Sequence, residues 1–161
     1  MKKTYRPGAL GALMDEYERA ADDLVTLLNT LDAVTFTQIL DNTTKDPDCC
    51  SVQTIMNHVV RATYGYANYI RQEFNEPFEP RKTNYNLQTP DDAVNALKQG
   101  LLYTEATLSN KYKWKLTYKK LNQHIINTSW GQRFDIDQLL EHAIVHILRH
   151  RRQIEKLLAA R

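Results

Sequence analysis

Three of the five histidines in this chain share one register near its end: His142, His146 and His150. On an α-helix each step of four residues turns the position by only about 40°, so all three fall along one narrow strip. Imidazoles at i and i+4 have Cβ atoms about 5–6 Å apart, close enough to grip one ion at about 2.0–2.1 Å. The helical wheel ranks them, with His150 inside the apolar arc, His146 at its edge and His142 further towards solvent. His146 and His150 are therefore the expected ligand pair. His58 offers a third ligand, because it holds on another amphipathic segment the edge position that His146 holds on its own. A ligand from each of two facing helices is how bundles build metal sites. Three neutral imidazoles leave coordination positions open, as catalytic rather than structural zinc requires. The plainer reading stands beside this one: an H-x3-H pair is common without metal, and a histidine at a core edge is often only packed and hydrogen-bonded.

Four helical segments must position these residues. The first is expected from about Ala9 to Leu31, with Leu10, Leu13, Tyr17, Ala20, Leu24, Leu27 and Leu31 in one stripe behind Pro7 and Gly8. The second, about Val52 to Phe74, opens at Ser51 as N-cap and buries Val52, Ile55, Val59, Ala62, Tyr66, Tyr69 and Ile70. A long connection follows, through Pro77 and Pro80 to Gln88, long enough to cross the end of a bundle. Thr89-Pro90-Asp91-Asp92 then supplies a cap, a proline at the first helical position and acids at the positive helix end. Its stripe is Val94, Leu97, Leu101, Thr104 and Leu108. The last helix opens at Asp135, with Gln138 as capping-box partner, and runs to about Ala159, burying Ile136, Leu140, Ala143, Ile147, Ile154 and Leu157. Between these two, Lys111 to Arg133 reads as irregular, with a short hairpin about Trp130-Gly131. The expected fold is all-α: a four-helix bundle with a long crossover between its second and third helices, one domain over residues 1–161.

The balance of residues fits such a domain. With 161 residues, 42% apolar and 25% charged, the chain can bury a core that needs no metal or disulfide staple. A formal charge of +2 gives no reason to expect a polyanionic partner. Met1-Lys2-Lys3 to Pro7 carries charge with no apolar run after it, so neither a signal peptide nor a membrane span is expected. Cys49 and Cys50 are adjacent and cannot crosslink distant parts of the chain, which points to a reduced, cytoplasmic setting.

The run Leu139-Leu140-Glu141-His142-Ala143-Ile144-Val145-His146-Ile147-Leu148-Arg149-His150-Arg151-Arg152-Gln153-Ile154 resembles the last-helix signature of the DinB/YfiT-like family of metal-dependent enzymes. Ile55-Met56-Asn57-His58, the crossover and the Trp130-Gly131 turn before a capped last helix extend the resemblance over nearly the whole chain. It implies a four-helix bundle with His58, His146 and His150 as metal ligands, the set that the wheel selects. It also implies hydrolysis or thiol-dependent S-transfer, with a low-molecular-weight thiol as cosubstrate in the second case. One departure is Arg152, where the family usually has glycine; it lies on the far side of the helix from the ligands. Gln153, one turn beyond His150 on the ligand side, is expected to orient a water at the ion, or else to be a polar helix-edge residue.

Imidazole ligands suit several divalent ions; zinc is expected first and nickel second. The expected partner is a small-molecule substrate, with no membrane and no nucleic acid, and a homodimer is left open. Lys111, Lys113, Lys115, Lys119 and Lys120, interleaved with Tyr112, Trp114 and Tyr118, would suit single-stranded nucleic acid, but such a run is more often a solvated edge. Cys49 and Cys50 precede a helix N-terminus, which can lower a thiol pKa, and His124 has no spaced partner and reads as a surface residue. Because no Asp or Glu stands on the ligand strip, and Glu141 points away, the competing reading is a non-catalytic bundle, with or without metal, acting as an interaction or stress-response module.

Overall fold

The computed structural model describes residues 4–160, so Met1-Lys2-Lys3 lies outside the described residues. Four long helices form the bundle: α1 (Gly8–Leu28), α3 (Val52–Glu73), α4 (Pro90–Leu108) and α6 (Ile136–Ala159). Shorter elements fill the connections: α2 (Ala33–Thr37), a single 3-10 turn at Pro47–Cys49, α5 (Tyr118–Gln123) and a hairpin of β1 (Ile126–Asn127) and β2 (Arg133–Phe134). Among the described residues no helix is long and apolar enough to cross a membrane.

Helix direction follows from the side chains that meet. Tyr103 on α4 donates to Asn68 on α3, and Arg71 on α3 donates to Thr107 on α4, so both chains advance together and the pair is parallel. A parallel pair needs a return as long as the helix, about 33 Å for the 22 residues of α3. The crossover between Glu73 and Pro90 supplies it. The arrangement is up-down-down-up, with α1 and α6 joined by an ion pair of Arg151 with Asp23 at 2.8 Å.

Caps begin the helices where local chemistry dictates. Reciprocal capping boxes stand at Ser51/Thr54, Thr89/Asp92 and Asp135/Gln138. The α1 stripe is displaced slightly from its expected centre: Met14 and Leu28 are fully buried, whereas Leu13 and Leu27 pack at the core edge. That helix ends at Leu28 rather than near Leu31, because Asp32 caps a new short helix by accepting from the Thr35 amide at 2.7 Å.

The segment after α4 departs from expectation in two places. Lys111 is not part of a solvated edge: its side chain is 1% exposed, and its ammonium donates to Glu76 at 2.5 Å, to the Thr107 carbonyl and to Asn110. It lies just after the last turn of α4, where the end of α3 covers it. The Lys113–Thr117 stretch pairs with no strand among the described residues: Lys113 lies in a turn closed by the Trp114 amide donating to the Lys111 carbonyl, and Tyr118 begins α5. His124, expected as a surface residue, faces the Glu73 carboxylate at 3.2 Å and packs on Phe74. Both of its partners come from the end of α3, far away in sequence.

Candidate metal centre

The histidines converge because α3 and α6 run antiparallel with their apolar stripes inward. Ile55 and Val59 on α3 and Ala143 and Ile147 on α6 are fully buried, which leaves His58, His146 and His150 along the seam. One nitrogen from each ring lies within 4.8 Å of those of the other two. Nε2 of His58 faces Nε2 of His146 at 2.9 Å. Ligands about 2.0–2.1 Å from one tetrahedral ion stand roughly 3.4 Å apart, so small ring movements suffice for shared coordination.

Two of the rings are held from behind. Nδ1 of His58 lies 3.2 Å from the carboxylate of Asp48, which also pairs with Arg61. Nδ1 of His150 lies 2.9 Å from the side-chain oxygen of Gln153. An Nδ1–H donated to each oxygen leaves Nε2 with its lone pair on the site side, the usual way a ligand imidazole is oriented. Gln153 thus contacts the His150 ring directly.

Asp48 is the residue that sequence reasoning missed. A search for carboxylates along the ligand strip passes over it, since it sits in the 3-10 turn ahead of the helix, where Asp46 accepts from its amide at 3.0 Å. An acid in the loop that leads into a ligand-bearing helix was the available signal.

Burial holds His146 and His150 in the metal-binding form. It pushes His146 down to about 2, helped by the neighbouring His150 and His58. It pushes His150 down to about 4 against the opposing hydrogen bond to Gln153. Both rings are neutral at pH 7, and neutral imidazole is the ligand. His142 is also lowered by burial but stands outside the cluster, packed against Trp130, Phe134 and Tyr66. It is less exposed than the wheel implied, since the hairpin covers it.

Cys49 is not an activated thiol. Burial raises the Cys49 thiol, and its Sγ lies 3.4 Å from the Asp46 carboxylate, which disfavours a thiolate further. Both cysteines are free.

A cavity of about 730 Å³ opens beside His58 and His146, within the range of small-molecule sites. One wall is aromatic, formed by Tyr66, Tyr69 and Trp130. The hairpin brings Trp130 there: Gly131 takes a φ of 84° in the turn, a region that favours glycine. Tyr69 pins that turn to α3, donating to Ser129 Oγ at 2.7 Å and accepting from its amide at 2.9 Å. In comparisons with known proteins, no family model and no curated protein matches the chain.

Proposed function

We propose that this chain is a metal-dependent enzyme of the DinB-like kind, in which His58, His146 and His150 hold one divalent ion and the adjoining cavity receives a small-molecule substrate. The observation that carries the reading is the convergence of three imidazoles with two of their outer nitrogens held, by Asp48 and Gln153. The donor set fits such an ion. Three neutral nitrogens suit zinc first and nickel second, and leave positions for a reactant.

A bound divalent ion supplies Lewis acidity there, lowering the pKa of water or of a thiol. The chain's own groups do the rest. Asp48 and Gln153 keep His58 and His150 in the tautomer that presents Nε2. Tyr66, Tyr69 and Trp130 give the cavity an aromatic lining that can pack on an apolar part of a substrate. Of the two reactions in view, hydrolysis and S-transfer from a low-molecular-weight thiol, one observation favours transfer. No carboxylate lines the cavity among the described residues, and the Asp48 carboxylate is engaged by His58 and Arg61. A thiol ionises near pH 8.5, far more readily than water, and needs no protein base. A cytoplasmic setting agrees with this, since thiols, including Cys49 and Cys50, stay reduced there.

Elemental analysis of protein purified without an affinity tag tests the reading. About one equivalent of zinc or nickel per chain is expected. Failure to take up either ion after incubation and desalting would overturn it.

A further inference from the structure

The charges around the cavity do not balance. Arg61, Arg81, Lys82 and Arg149 line it together with the aromatic wall, and no Asp or Glu does among the described residues. Arg61 is matched by Asp48. Arg81, Lys82 and Arg149 enter no ion pair among the described residues, and unlike the other unpaired cations they gather at one cavity. These cations come from separate elements, Arg149 from α6 and Arg81 and Lys82 from the crossover, so no single solvated helix face accounts for them. Arg81 also lies against Gly65, where the ideal position of a Cβ would be 3.4 Å from its guanidinium. The missing side chain there leaves room for the guanidinium beside the cavity.

Like charges gathered at a concave, partly apolar site focus a positive potential and draw in a ligand of opposite sign. Flat side chains in the same lining can stack on a flat ligand, and Trp130 lies near-parallel to His142 with ring centroids 5.9 Å apart. We propose that the cavity binds a small organic anion, a carboxylate or phosphate attached to a flat unsaturated or aromatic group. Arg81 and Arg149 take the acidic group, and Trp130, Tyr66 and Tyr69 take the flat face. The proposal rests on the metal-centre reading only in making this anion the substrate; binding itself needs no ion.

The test is calorimetric titration of the full chain, zinc-loaded and chelator-treated, with benzoate, isophthalate, phenyl phosphate, benzamide and acetate at fixed ionic strength. At least one aromatic anion is expected to bind about tenfold or more tighter than both neutral benzamide and acetate. The R81Q/R149Q double variant, changed at exposed positions, is expected to lose about tenfold in that affinity with zinc content unchanged. Equal binding of benzamide, equal binding of acetate, or no effect of the double variant would overturn the proposal. If His146→Ala and the wild type alike fail to bind zinc, the metal-centre reading falls, while the titrations with chelator-treated protein still decide the anion site.

Discussion

Two regions of this bundle handle charge in opposite ways. Where the start of α1 meets the end of α4, the Arg6 guanidinium contacts Asp15, Glu18 and Glu105 at 2.5–2.6 Å. Nearby, the buried Lys111 ammonium has a carboxylate, a carbonyl and an amide oxygen. Arg6 is held by three carboxylates and Lys111 by three oxygens, so these groups tie helices together rather than offering charge to a ligand. Along the α3–α6 seam the accounts stay open. Three imidazoles aim nitrogen at one another, and cations line a cavity where no acid stands among the described residues.

The largest effect should come from removing a ligand. His146→Ala or His150→Ala is expected to abolish zinc binding, while His142→Ala spares it to within about threefold, since that ring packs in the aromatic wall. Zinc titration against a competing chelator distinguishes the positions, and equal loss at all three would erase the distinction between ligand and wall. None of the three should unfold the bundle, whose core does not depend on metal.

Acid should separate the two regions next. In the metal-free protein His146 and His150 have folded pKa values depressed by burial, to about 2 and about 4, against about 6.5 when unfolded. Above pH 6.5 both states are unprotonated and stability is full. As pH falls, the unfolded chain takes up protons that the folded one refuses, so stability drops progressively from about pH 6.5 towards pH 4. For His150 alone the loss is on the order of 3 kcal/mol. Asp135 opposes the trend, because burial and Asp137 push its carboxyl up to about 6, but it is a more exposed cap. Urea denaturation at pH 7 and pH 4.5 measures the drop, which should shrink in His150→Gln. The same depression moves metal release to lower pH than imidazoles at their ordinary pKa would give, below about pH 5.

The matched region should break differently. Glu76→Ala leaves the Lys111 ammonium buried with only neutral partners, and is expected to cost about 3 kcal/mol in urea denaturation. Lys111→Met, which removes the charge and keeps the volume, should cost much less. Zinc affinity should be unchanged in both. A loss at Lys111→Met as large as at Glu76→Ala would mean that the pair stabilises the bundle outright.

What could be read in the sequence was what is local. Ser51, Thr89 and Asp135 announce their helices through contacts three residues away, and the 3.6-residue period places His58, His146 and His150 on inward edges. The structure brings together the three histidines that the wheel selected. Pairings across long separations were not legible: Lys111 with Glu76, His124 with Glu73, and Trp130 against His142 all depend on which helix ends meet. The short helices α2 and α5 were not legible because fewer than two turns of helix are marginal on propensity alone and exist by docking. Asp48 was missed because its role depends on the path of a loop rather than on a period.

Asp48 also provides the smallest and most discriminating test, since it stands where the two treatments of charge meet. Its carboxylate is matched to Arg61, like the acids around Arg6, yet it also accepts from the His58 ring, which belongs to the open site. Asp48→Asn keeps the size and one acceptor oxygen but removes the charge. If the residue serves mainly to orient and polarise His58, zinc affinity should fall about tenfold to a hundredfold, as replacing a carboxylate behind a ligand histidine typically does. Folding stability should change by less than about 1 kcal/mol, because the Arg61 pair is about a third exposed on the carboxylate side and such pairs contribute little. If instead the residue is only an anchor for the loop, the order reverses, with stability falling and zinc affinity hardly moving. Chelator competition and urea denaturation on the same preparation therefore decide whether Asp48 belongs with the closed charges or with the metal site.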